Sequence, residues 1–167
     1  TTQEPDAEEL TDELTDELTE EQPAEQPAEQ TEDQVREEPE KENPMFLISV
    51  ERLNELERSP VHLVAGRLVS SSPSKSKPIN EMGDVKGLIR EIAQNYKNDP
   101  NFIRSDMPVQ EIIFRTLLAR GNRPMSLTDL HYELTERWAS PIRPIVITEE
   151  RLLRVLDNDT YYGFARK

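Results

Sequence analysis

The chain has 167 residues, with 34 Asp and Glu against 20 Lys and Arg and a formal charge of −14. It contains no Cys, which excludes disulfides, thiolate metal sites and Cys nucleophiles. His62 and His131 lie far apart without zinc-ligand spacing, so neither a metal nor a cofactor is expected. Apolar runs such as Phe46-Leu47-Ile48 are far short of a membrane span. The first residues lack the basic-then-apolar plan of a secretory signal. The expectation is a soluble, cytoplasmic protein with no membrane partner.

The charge divides near Pro44. Residues 1–44 hold eighteen Asp and Glu against Arg36 and Lys41, a net of −16. Residues 45–167 hold sixteen acids against eighteen Lys and Arg, a net of +2. The acidic arm is repetitive: residues 10–21 read LTDELTDELTEE and residues 21–30 read EQPAEQPAEQ. The four-residue period sets Leu10, Leu14 and Leu18 on one helical face. The acids recur at the same period and repel one another, and Pro23, Pro27 and Pro39 interrupt helix hydrogen bonding. Residues 1–44 are therefore expected to be a disordered, low-complexity tail with at most a transient helix at 8–20. Two readings of it stand open: a solubilising extension, or an acidic ligand whose three leucines dock on a partner.

Residues 45–69 carry the apolar stretches FLISV and VHLVAGRLV around ERLNELER. Helical and strand periodicities both fit, Pro60 marks a break, and the segment reads as a short docking element with His62 facing solvent. Residues 70–78, SSSPSKSKP, read as a flexible Ser/Pro/Lys linker. Residues 79–105 hold an amphipathic helix at about 84–97, capped by Asp84. Its inward stripe is Val85, Leu88, Ile89, Ile92 and Tyr96, and its outward face presents Lys86, Arg90, Glu91 and Gln94. Asn98-Asp99-Pro100 ends it.

Residues 106–167 give firmer signals. Pro108 opens a helix through Arg120 with Val109, Ile112, Ile113, Thr116 and Leu117 inward, and Gly121 stops it. Arg123-Pro124-Met125 is extended. Ser126, with Asp129 three residues on, caps a helix lined by Leu127, Leu130, Leu134 and Trp138. His131 reads as a partly buried, hydrogen-bonded residue and Trp138 as a core anchor. Residues 139–147 form a proline-bearing connector. Thr148, Glu149 and Glu150 start a helix to about Leu156, with Leu152, Leu153 and Leu156 inward and Arg151, Arg154 and Asp157 outward. Residues 160–165 read as an aromatic strand.

Helix, extended piece, helix, connector, helix and strand describe a mainly α, three-helix domain with a small β-sheet. It is preceded by the extra amphipathic helix and the acidic tail. EIIFRTLLARGNRPMSLTDLHYEL (111–134) and TEERLLRVLDNDTYYGFARK (148–167) resemble winged-helix domains of the HARE-HTH kind, including that of the bacterial RNA polymerase delta subunit. That family also joins a winged helix to an acidic arm, although there the arm follows the domain. The resemblance implies a helix-turn-helix protein of transcription regulation, associated with RNA polymerase. Winged helices end in a hairpin, whereas eight residues follow Asp159, room for one strand. Residues 123–126 would then pair with 160–165.

The third helix offers Arg151 and Arg154, with Arg137, Arg143, Arg166 and Lys167 as further members of a nucleic-acid or partner face. Glu149, Glu150 and Asp157 interrupt that face, which favours a protein partner over strong DNA binding. No Gly-rich phosphate loop, metal-ligand pair or Ser/His/Asp set is present, so no enzymatic activity is expected. The leading expectation is a regulatory protein whose partner presents the basic surface of a nucleic-acid machine. An assembly adaptor and a DNA-binding repressor are the alternatives. Nothing in the sequence sets the oligomeric state.

Overall fold

The structure, a computed structural model, describes residues 41–167. The helix expected at 8–20 and its leucines Leu10, Leu14 and Leu18 lie outside the described residues. Six α-helices and a three-stranded antiparallel sheet make up the described chain.

The sheet is built from segments distant in sequence. Strand β1 (Met45–Ile48) lies between β2 (Met125–Ser126) and β3 (Phe164–Arg166), antiparallel to both. Phe46 is opposite Met125 on one side and Arg166 on the other, and Ile48 is opposite Phe164. The pairing of residues 123–126 with the C-terminal strand that the sequence led us to expect does not form, because MFLI takes the place between them. Its alternation buries Phe46 and Ile48. The strand expected over 160–165 forms only at 164–166, since Asp159 folds residues 160–163 into a turn. Its carboxylate accepts the backbone N–H groups of Tyr161, Tyr162, Gly163 and Phe164 at 2.7–3.1 Å.

Residues 45–69 are the central strand and two short helices of this body. Helix α1 (Val50–Glu55) is capped by Ser49, whose hydroxyl accepts from Arg52 N at 3.1 Å. Glu57, at φ 55°, turns the chain into α2 (Pro60–Ala65), capped by Ser59 with Pro60 in its first turn. His62 is exposed, as expected. The serine- and proline-rich stretch 70–78 differs from a flexible linker. Ser72 and Ser74 are buried, and Ser74 donates its amide (3.0 Å) and hydroxyl (2.6 Å) to Glu91. One carboxylate on α3 (Val85–Asn95) thus holds a stretch whose composition reads as loose.

Helix α3 is capped by Asp84, which accepts from Gly87 N at 2.9 Å, and it buries Leu88, Ile89 and Ile92 against α2 and α4 (Val109–Ala119). Helix α4 ends in a Schellman turn: Asn122 N donates to Leu117 O at 2.8 Å and Gly121 N to Leu118 O at 3.0 Å. Gly121 and Asn122 both take positive φ. The Asn122 amide then bonds both backbone groups of Ile48 at 2.8 Å, where β2 no longer reaches. Helix α5 (Leu127–Tyr132), capped by Ser126, widens into a π turn at Glu133–Arg137. Helix α6 (Glu149–Asp157) starts at Thr148, which accepts from Arg151 N at 3.2 Å.

Order begins before residue 45, unlike the expectation of a tail through 44. Lys41 pairs with Glu149 at 2.7 Å, Asn43 accepts from Thr128 N at 3.0 Å, and Pro44 O accepts from Leu127 N at 2.9 Å. These contacts extend the β1–β2 side of the sheet.

Gly163 lies at φ +76°, and a Cβ there would stand 2.5 Å from Leu53 Cγ. Gly163→Ala is expected to destabilise the protein by on the order of 3 kcal/mol, through backbone strain and overpacking together, as read by denaturant unfolding. A fragment of residues 106–167 lacks β1 and is expected to show no cooperative thermal transition. A sharp transition in that fragment would make the central strand dispensable.

Candidate functional site

The arginine face expected on the third helix is distributed among several local environments. Arg151 and Arg154 are exposed on α6, while Leu152 and Leu156 are buried beneath them. Neither arginine makes an ion pair among the described residues. Arg166 forks onto Asp157 (Nε 2.9 Å, Nη2 2.7 Å), with Glu42 at 3.6 Å, so most of its charge is answered locally. Arg137 donates to Glu133 at 3.1 and 3.3 Å and lies over the Trp138 ring at 5.0 Å. Arg120 reaches the same carboxylate at 2.6 Å. Arg137 thus belongs to an Arg120–Glu133–Arg137 cluster beside Trp138. Arg143 is exposed in the connector, where its N–H donates to Ser140 Oγ at 3.0 Å. Lys167 is exposed, and its N–H donates to Met45 O at 3.0 Å. His131 is half-buried, its Nε2 2.7 Å from Ile147 O, which ties α5 to the connector.

A buried electrostatic centre of the body is a carboxylate that the sequence pattern barely marks. Glu111, on α4, is 8% exposed although it stands in the first turn of its helix. Arg67 donates to it through Nε (3.0 Å) and Nη2 (2.8 Å), Arg115 through Nε (2.7 Å), and the Tyr162 hydroxyl at 2.9 Å. Burial by itself would raise the Glu111 carboxyl, but these donors and the Arg67 charge outweigh it and hold it down to about 2. Burial and the accepting carboxylate push the Tyr162 hydroxyl up. Arg115 also reaches Phe102 O at 2.8 Å, and Arg67 reaches Leu63 O at 2.9 Å. Every strong donor at this centre is used within the protein, which makes it a structural hub. The only sequence signal for it was Glu111 and Arg115 at i, i+4; its other partners come from residues 67 and 162.

A second feature emerges only from packing. A groove of about 690 Å³ lies between α3 and the turn after α4. Lys86 and Arg90 rise on one wall, Arg120 and Arg123 on the other, and Ile89, Ala93 and Ala119 line it between them. Among the described residues, no acid lines it. Of its cations, only Arg120 is ion-paired among the described residues, to Glu133. The Glu51 carboxyl is held below its usual range by its own backbone amide and the Ser49 hydroxyl, with a smaller contribution from Lys86. In sequence, Lys86 and Arg90 look like an ordinary solvated helix face, and the opposing pair lies some thirty residues on, beyond the end of the next helix.

Among the described residues, no group of His, Asp and Glu is arranged to hold a metal ion, and no helix is long and apolar enough to cross a membrane. No family model, curated protein or solved structure matches the chain.

Because Glu111 titrates near 2 folded and near 4.5 unfolded, its ionised form stabilises the fold above the higher value. That contribution is lost as pH falls through the lower one. It amounts to on the order of 3 kcal/mol. Denaturant midpoints of the native protein should therefore fall between pH 5 and pH 2, and Glu111→Gln should flatten that part of the curve. At neutral pH Glu111→Ala should cost on the order of 3–5 kcal/mol, because two guanidinium groups lose their buried partner. An unchanged unfolding midpoint in Glu111→Ala would show that the fold does not depend on this centre.

Proposed function

We propose that the chain is a non-enzymatic regulatory protein, a winged-helix-like module with a polyanionic arm, acting on a transcription machine or another nucleic-acid machine. The observation that carries this reading is the division of charge. An arm of net −16 is joined to a body of net +2, so the arm competes for a basic surface that another molecule provides. Polyanions imitate the phosphate charge that such machines bind. Support for the winged-helix part comes from the order α4, β2, α5, α6, β3 and the short antiparallel sheet. The sheet departs from the family plan in taking its central strand from residues 45–48.

The body favours a protein partner over duplex DNA. Of the expected face, Arg143, Arg151, Arg154 and Lys167 are exposed without an ion pair among the described residues, only Arg151 and Arg154 stand on α6, and Glu150 and Asp157 flank that pair. Non-specific DNA affinity needs a larger uninterrupted phosphate-contact surface.

Affinity capture from nuclease-treated lysate, with the full chain and with residues 41–167, tests the reading. The full chain should retain RNA polymerase or another nucleic-acid-processing assembly, and removal of the arm should weaken retention by roughly tenfold or more. Capture of a structural assembly without nucleic-acid machinery would favour the adaptor alternative. In a duplex-DNA titration at low salt, residues 41–167 should bind weakly and without saturation. Tight binding abolished by Arg151→Glu with Arg154→Glu would favour the repressor instead.

A further inference from the structure

We infer that the groove between α3 and the turn after α4 is a docking site for an acidic amphipathic helix of a partner protein, one with leucine-like residues on one face and Asp or Glu beside them. This groove is distinct from the exposed arginines of α6, and its occupant goes beyond the functional reading above.

Charge is the first argument. Lys86, Arg90 and Arg123 surround the groove without an ion pair among the described residues, and no acid lines it. The C-terminal end of α4 accounts in part for Arg120 and Arg123, since cations are favoured beside the carbonyl end of a helix. It does not account for Lys86 and Arg90, which stand across the groove on α3. Lys86, Arg90 and Arg123, three like charges facing one concavity, repel one another, and a negative ligand relieves that repulsion.

The groove's interior supplies the second argument. Ile89, Ala93 and Ala119 give it an apolar strip between its polar walls. Lys86 and Arg90 are one helical turn apart, about 6 Å along the axis. Acids spaced at i, i+4 on an incoming helix match that interval, while its apolar face covers the apolar strip. Single-stranded nucleic acid is a poorer fit, because stacking platforms require aromatic rings and, among the described residues, none lines this groove. A duplex is poorer still, being convex and too broad to enter a concavity of about 690 Å³.

Fluorescence anisotropy with the full-length protein tests the inference. The probe is a labelled helical peptide with Leu on one face and Glu on the other. Saturable, salt-sensitive binding is expected. Lys86→Glu with Arg90→Glu should weaken it roughly tenfold or more, as should Arg123→Glu alone. Arg151→Glu with Arg154→Glu should leave it unchanged, which separates this site from the α6 face. All the altered side chains are exposed, so circular dichroism and thermal unfolding should match the native protein. An all-Glu peptide of equal charge should bind at least roughly tenfold more weakly. Three results would overturn the inference: no saturable binding, equal binding of the all-Glu peptide, or tighter binding of a single-stranded oligonucleotide through the same residues.

Discussion

A carboxylate taken out of water needs several donors before its burial becomes favourable, and Glu111 receives four, two of them from Arg67. These donors come from three parts of the chain: the segment after α2, the next turn of α4, and the turn before β3. Arg115 adds Phe102 through its carbonyl, and Arg67 adds the end of α2. The amphipathic helices pack around this point, with Phe114 and Tyr162 rings 5.2 Å apart beside it. Because an unpaired buried charge is far costlier than a paired one, the hub makes arrangements that separate these segments unfavourable.

The C-terminal turn transmits that constraint to the sheet. Asp159 gathers four consecutive backbone amides, which fixes Tyr162 for Glu111 and aims Phe164 at Ile48. Gly163 sits where a side chain would strike Leu53, so α1 and β3 approach as closely as backbone permits. On the other side, the Asn122 side chain pairs with Ile48 in place of a strand residue. The first and last segments of the body are thereby joined, and the short sheet is a closure of the fold rather than an independent wing.

This closure bears on the interaction surfaces. Arg166 and Arg137 are drawn into local pairs, whereas Arg151 and Arg154 remain on an exposed helix face. The packing of α3 on α4 brings two separate pairs of cations to one groove. A body with a net charge of only +2 can therefore still present a locally basic concavity. Net charge described the arm well and the body poorly, because distribution rather than sum decides what a neutral surface attracts.

Helices α3 to α6 were legible from local chemistry, whereas α1 and α2 lay in a segment that fitted helix and strand alike. Asp84, Ser126 and Thr148 announce helix starts, and each side chain accepts the amide three residues on. The stripes Leu88-Ile89-Ile92 and Leu152-Leu156 are buried as their spacing implied. Gly121 stops α4 as its freedom at positive φ suggested. Capping and amphipathicity act within one or two turns, so nearby residues suffice to specify them. What depended on tertiary structure was every pairing across long separations: MFLI as the central strand, the order of residues 70–78 through Glu91, the Glu111 hub, and the basic groove. Each joins groups tens of residues apart, where composition and period carry no register. SSSPSKSKP looks loose until a carboxylate from another helix binds its serine, and Glu111 looks solvated until the arginines reach it. The sequence by itself determined the local elements and the division of charge; only the closed fold decided which of those charges meet.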